Sequence, residues 1–525
     1  MEGMISANPA EESSQRGSTI ILRNSLWMSL DTTLSFLLAF ASSIAVARYL
    51  GPVKVGHYSY AVWLTSVAGA LACYGIPMGA RKYVAEYYGR GEPGLALAVL
   101  RYMLRLQLLL TLGLMCFTVT FVWVMSPAEM RVFHLLTCLS IAPQMAQAVY
   151  SQVAMALQDY SPNTIASLTT IPVTAAGVAL SIYANLDLIG LAATLLAART
   201  TDLVVRAMLV RRIVRKQLGE PAAGGPAGVD SELRSRLWKF SYQGTLLQVF
   251  NIFVWDRSEL LFLARMGRPE QIAYFSLAYN ITQQLLVVPR MFGSASGAVM
   301  MVRYGRGQGH ASAVSAEALR YLALISLPVM IGLALLSQPL VRLLYGTAYL
   351  PVYPVLSVLA AGAIAKSLLL PAEQLLLASE RQSELTRLLI ATAVLKLVMD
   401  VVFIAYWGVM GAAMAMTLSQ VLAVAGVWRL AHKLAGLQIP WQATGRYAAG
   451  CAVMALVVVY AGRLFEHPVL NIAVSVPAGA VGFLLSLRLL GAWTEEDRER
   501  FRHVGQLVPA FARGAYTRGM ELIIR

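Results

Sequence analysis

Charge is scarce in this chain. Only 13% of its 525 residues are Asp, Glu, Lys or Arg, against about 25% in soluble domains. With 58% hydrophobic residues and repeated apolar runs near the ~20 residues that cross a bilayer, an ordinary water-soluble fold is excluded. Cysteine is scarce too. Cys73, Cys116, Cys138 and Cys451 each sit inside an apolar run, where they serve as small apolar side chains rather than a disulfide framework. The six histidines show no pairing at metal-ligand spacing, so no metal site is expected. The chain has no Walker A sequence, no nucleophile elbow and no metal-ligand helix, so neither an enzyme nor a cofactor is expected. Its first residues lack the basic-then-apolar order of a signal peptide.

What is present is an internal repeat. Ala47 to Ala61, ARYLGPVKVGHYSYA, returns as ARMGRPEQIAYFSLA from Ala264 to Ala278. Without a gap, Ala47, Arg48, Pro52, Ser59 and Ala61 match Ala264, Arg265, Pro269, Ser276 and Ala278. Tyr88-Gly89-Arg90-Gly91 returns as Tyr304-Gly305-Arg306-Gly307, and Leu100-Arg101-Tyr102 as Leu319-Arg320-Tyr321. The chain therefore reads as two related halves, each built on the same hairpin of apolar segments.

The expected fold is an all-α polytopic membrane protein of about 14 transmembrane helices. Two parallel-repeat six-helix bundles are followed by two C-terminal helices. A disordered cytoplasmic N-terminal tail covers 1–23, helices 1–6 cover 24–212, and a Gly/Pro-rich cytoplasmic linker covers 213–240. Helices 7–12 then cover 241–434, helices 13–14 cover 443–490, and an amphipathic cytoplasmic tail covers 494–525. With both termini cytoplasmic, most of the 42 Lys and Arg fall on the cytoplasmic side, among them Arg81, Lys82, Arg211, Arg212 and Arg236. The net charge of +15 is thus read as the positive-inside rule and not as a nucleic-acid surface.

Chemistry should reside in ionisable groups within spans, each costly to leave facing lipid. Arg199 with Asp202 and Lys396 with Asp400 are spaced to neutralise one another on one helix face. Lys366 and Glu373 stand two turns apart, which suits a cavity wall. Trp255-Asp256-Arg257-Ser258-Glu259 places three charges in four positions, too many for one narrow face. Arg290 follows Pro289 and lacks an acid in its own segment, which makes it the best candidate to hold an anion. Arg23 and Arg81 stand at the cytoplasmic ends of the first two helices. Asp31, Asp256, Glu259 and Glu373 are candidates for a coupling cation.

ARYLGPVKVGHYSYA, together with Arg81–Gly91 (RKYVAEYYGRG) and Pro339–Tyr349 (PLVRLLYGTAY), resembles the polysaccharide-unit flippases, the O-antigen (Wzx-type) transporters. These belong to the multidrug/oligosaccharidyl-lipid/polysaccharide exporter superfamily. The resemblance implies alternating access by two lobes around a cationic cavity that holds the pyrophosphate of an undecaprenyl-linked oligosaccharide. It implies residence in the cell inner membrane, contact with membrane lipids, a polysaccharide polymerase as partner, and action as a monomer. On this chain the cavity candidates become Arg257, Arg290 and Lys366, with Arg23 and Arg81 at its mouth. A cation-coupled multidrug or metabolite exporter of the same superfamily, and a lipid II flippase, are the alternatives.

Overall fold

The computed structural model describes residues 9–219, 229–255, 257–304 and 307–493. The first residues of the tail, residues 220–228 of the Gly/Pro-rich linker, Asp256, part of the second Tyr-Gly-Arg-Gly and the amphipathic tail from 494 lie outside them. Among the described residues the chain is helical and has no strand. It forms two compact units, divided between Ser258 and Glu259.

Unit 1 contains α1 (Pro9–Ala72), α2 (Ile76–Gly89), α3 (Pro93–Met125), α4 (Ala128–Leu139), α5 (Ile141–Ala156), α6 (Ser161–Tyr183), α7 (Asp187–Leu218) and α8 (Ser231–Trp255). α1 begins at Pro9, so residues 9–23 are helical where the composition leads one to expect an irregular tail. Pro9 is the first residue of that helix, where its preset φ suits the first turn. The core forms around α2. Ile76, Ala80, Tyr83, Val84 and Tyr87 recur at helical spacing and are buried against Val99, Leu100 and Met103 of α3 and Val149, Val153 and Ala154 of α5. Val210 and Val214 of α7 and Leu237 of α8 close the same cluster.

Unit 2 contains α9 (Glu259–Arg265), α10 (Pro269–Leu285), α11 (Val287–Tyr304), α12 (Gln308–Leu335), α13 (Ser337–Tyr345) and a 3-10 turn (Thr347–Tyr349). α14 (Val352–Ala378), α15 (Gln382–Ala435), α16 (Trp441–Leu464) and α17 (Pro468–Leu489) follow. α14 is its centre. It packs against α10, α11, α12 and α15, and Val355, Leu356, Ala360, Ala363, Ala372 and Leu375 are all buried. α16 and α17 pair with each other, and α12 and α13 pack on them.

Ten helices among the described residues are long and apolar enough to cross a membrane, or eleven if α10 and α11, bent by 43°, count as one. Two of the ten are 46 and 54 residues long, about 70 and 80 Å by helical rise, against a hydrocarbon core of ~30 Å. Each is broken at a glycine. Gly51 has φ 75, ψ 169, and Gly408 has φ 55, ψ −130, backbone states that side chains with a Cβ rarely adopt. Treating these breaks as turns raises the eleven to thirteen. The expected crossing at 241–264 is met by α8 and the short α9, interrupted between Trp255 and Glu259, and neither part is apolar and long enough alone. Among the described residues a count of fourteen is therefore not confirmed.

The repeat has a structural counterpart. Pro52 and Pro269, aligned in sequence, each open the helix that follows the break. Two residues further on, the aligned Lys54 and Gln271 each reach a later turn of their own unit. The Lys54 ammonium pairs with the Asp187 carboxylate at the start of α7. The Gln271 amide oxygen accepts from Val409 N–H, 3.2 Å away, beside Gly408.

Candidate functional site

The charged side chains of the two units are held in different ways. In unit 1, Arg23 and Arg81 are exposed. Arg23 lies 4.0 Å from Asp159, and the adjacent Asn24 bonds the Gln158 carbonyl and the Tyr160 N–H. Arg81 is not at the end of the second span. That helix stops at Ala72, and Arg81 sits on the exposed face of the separate α2. Further along α1, Asp31 is half-buried and accepts hydrogen bonds from Tyr160 Oη (3.3 Å) and Ser35 Oγ (3.2 Å).

The Arg199–Asp202 pairing expected from spacing does not form. Asp202 is taken by Arg206, one turn later, whose Nε and Nη2 donate to Oδ1 at 3.2 and 2.6 Å. Arg206 Nη1 donates to Asn163 Oδ1 of α6. Arg199 instead donates to the carbonyl and hydroxyl of Ser140, at 3.3 and 2.8 Å, in the break between α4 and α5. An i,i+3 and an i,i+4 partner are equally available on a helix face. The third participant, Asn163, decides between them here, and it comes from another helix.

In unit 2 the Lys396–Asp400 pair forms as spaced, Nζ to Oδ2 at 2.8 Å. It has a third member. Glu259, the first residue of α9, places Oε1 2.8 Å from the same Nζ. Glu259 and Asp400 are 0% exposed and Lys396 is 2% exposed. Glu259 is thus a member of a buried ion triad rather than an open carboxylate. Its neighbour Arg257 is half-buried, in the break before α9, with a left-handed φ of 57, a costly backbone state for a residue with a side chain.

Arg290 is not an isolated cation. It sits just after the bend between α10 and α11, is exposed, and donates to both the carbonyl and the side-chain oxygen of Gln283. The sequence signal for an unpaired arginine was the lack of an acid, and a neutral glutamine one bend away meets the need. Lys366 and Glu373 are both half-buried on α14. No group of three His, Cys, Asp or Glu that could hold a metal occurs among the described residues.

Unit 2 also contains an apolar cavity of about 520 Å³. Leu285, Gly332, Leu336, Met454, Val458 and Phe483 are among the residues lining it, so α10, α12, α16 and α17 all contribute. Its wall carries almost no polar side chain except Ser475.

Comparison with known proteins adds the family context. A family model described as polysaccharide biosynthesis protein matches residues 21–299, and one described as lipid II flippase MurJ matches residues 292–476. No curated protein matches the chain. Among solved structures, the lipid II flippase MurJ in an inward closed conformation is similar over 88% of this chain and 98% of that one, with a TM-score of 0.72 at 13% identity. An inward-facing multidrug resistance MATE family transporter of the MOP superfamily is similar over 79% and 98%, with a TM-score of 0.64 at 15% identity. A MOP superfamily transporter from Pyrococcus furiosus Vc1 covers 79% and 95%, with a TM-score of 0.54 at 15% identity. The fold is therefore the all-α polytopic one that these membrane transporters share.

Proposed function

This chain belongs to the family of polysaccharide biosynthesis proteins, and from that membership we propose that it is a flippase. It moves an undecaprenyl-pyrophosphate-linked oligosaccharide across the cytoplasmic membrane by alternating access of two six-helix lobes, with fourteen crossings and both termini in the cytoplasm. The family match over residues 21–299 carries the reading. The apolar cavity against α16 and α17 supports it, because an apolar chamber of this size suits part of a polyprenyl chain.

The pyrophosphate falls to the accessible cations. Arginine suits it, since a planar guanidinium can engage two phosphate oxygens at once. Arg290 is the leading candidate. Its guanidinium is exposed and donates to two oxygens of Gln283 beside the bend. Arg257 and Lys366 are assigned to the same path, and Arg23 and Arg81 to its cytoplasmic mouth. Asp31 and Glu373, both half-buried, are the carboxylates assigned to a coupling cation. Asp256, outside the described residues, stays in that group on sequence alone.

Complementation with a lipid readout tests this. Wild type and Arg290→Ala are expressed at equal level in cells lacking their own polysaccharide flippase. The expected result is surface glycan restored by wild type, and lipid-linked intermediate accumulating on the inner leaflet with the variant. Wild type that restores no glycan type but confers efflux of small cations would replace this reading with the multidrug exporter. Restored lipid II flipping alone would replace it with the MurJ-like activity.

A further inference from the structure

Unit 2 brings more negative charge to Lys396 than one ammonium neutralises. A buried lysine is neutralised by one carboxylate, and Asp400, one turn along α15, already provides it at 2.8 Å. Glu259 arrives from a different element and places a second carboxylate at the same distance. Burying an extra carboxylate is costly unless it is compensated. Glu259 Oε2 is buried with no hydrogen-bond donor among the described residues, and Glu259 itself is 0% exposed. Lys396 thus sits where two carboxylates from separate helices converge, in a site closed to solvent.

Two carboxylate oxygens 2.8 Å from one point lie at the spacing a desolvated large monovalent cation takes, and an ammonium is close to potassium in size. We infer that the Lys396 ammonium is a tethered counter-cation, filling a site that Glu259 and Asp400 would otherwise offer to an alkali metal ion. Wild-type protein therefore binds no free cation at this point, and Glu259 is withdrawn from the coupling candidates. Unit 1 shows a related arrangement. There the Arg206 guanidinium occupies the centre between Asp202 and Asn163 oxygens, again from two helices. The inference refines the coupling part of the proposed function, but its test reads stability, so failure of either leaves the other standing.

The test is thermal unfolding of the purified full chain in detergent, in chloride salts of sodium, potassium, lithium and choline at equal ionic strength. Wild type and Lys396→Arg should unfold at the same temperature in all four. Lys396→Ala should unfold earlier in choline and regain about 4 °C or more, saturably, in one of the alkali salts. Adding Asp400→Asn to that variant should abolish the gain. Equal behaviour of Lys396→Ala in all four salts would overturn the inference, as would a selective, saturable gain in wild type that Glu259→Gln removes. If Lys396→Ala cannot be recovered, Glu259→Gln/Lys396→Gln, which removes one charge of each sign, should be recoverable. Its failure as well would assign the cluster to packing and overturn the inference.

Discussion

Replacing Arg206 while keeping Asp202 should destabilise unit 1 by about 3–5 kcal/mol, the cost of leaving one member of a buried ion pair without its partner. Both residues are 7% exposed, so water cannot take over. Arg206→Leu removes two donors to Asp202 Oδ1 and the donor to Asn163 Oδ1. At about 2–4 °C per kcal/mol for a unit of this size, the unfolding temperature should fall by about 6–20 °C. The double variant Asp202→Leu/Arg206→Leu removes the stranded charge and should lie within about 2 kcal/mol of wild type. The assay is a double-mutant cycle by thermal unfolding in detergent, with Asp202→Leu as the second single variant. A shift below about 2 °C for Arg206→Leu, or a double variant as unstable as the single, would refute the view that this pair is a desolvated, mutually dependent unit.

Four smaller effects can be read in the same assay. Ser140→Ala removes the 2.8 Å acceptor of Arg199 but leaves the carbonyl, for a loss of about 1–2 kcal/mol. Asp202→Asn should not add to the loss at Arg199, because Asp202 is not its partner. Lys54→Met breaks an exposed ion pair and should cost no more than about 1 kcal/mol. Gln271→Leu removes the acceptor of Val409 N–H and should cost about 1–2 kcal/mol. Gly332→Leu should raise stability by up to about 1 kcal/mol, since it replaces a glycine in the last turn of α12 and its Cβ meets no atom within 4 Å. The same variant should slow export of lipid-linked glycan by filling the apolar cavity, as counted by surface glycan in the complementation assay. Unchanged glycan with full cavity occupancy would separate the cavity from transport.

The halves and their hairpin were legible because the repeat is gap-free through a turn, and turns tolerate few substitutions of length. Pro52 and Pro269 mark the same helix start, and Lys54 and Gln271 make corresponding contacts despite differing in type. The Lys396–Asp400 pair was legible because both residues lie on one helix, where spacing is geometry. Glu259 was legible as a charge but not as part of that pair, since its approach depends on packing between α9 and α15 that no local pattern encodes. Arg199 was misassigned for a related reason. Its acceptors are the backbone carbonyl and hydroxyl of Ser140, in the break between two other helices, and neither carries a charge to draw attention. Arg290 and Gln283 lie on either side of a bend, and a search for an acid partner passes over a neutral glutamine.

The corresponding contacts at Lys54 and Gln271 carry an asymmetry that a change of medium would expose. One is between full charges at an accessible place, and the other is a neutral amide on a backbone N–H. Mobile ions weaken the first over a screening length of about 10 Å at 0.1 M and leave the second nearly untouched. Two halves that share a repeat would then not answer alike to salinity. Concentrated brine would loosen the turn in the first half while its counterpart in the second stayed fastened.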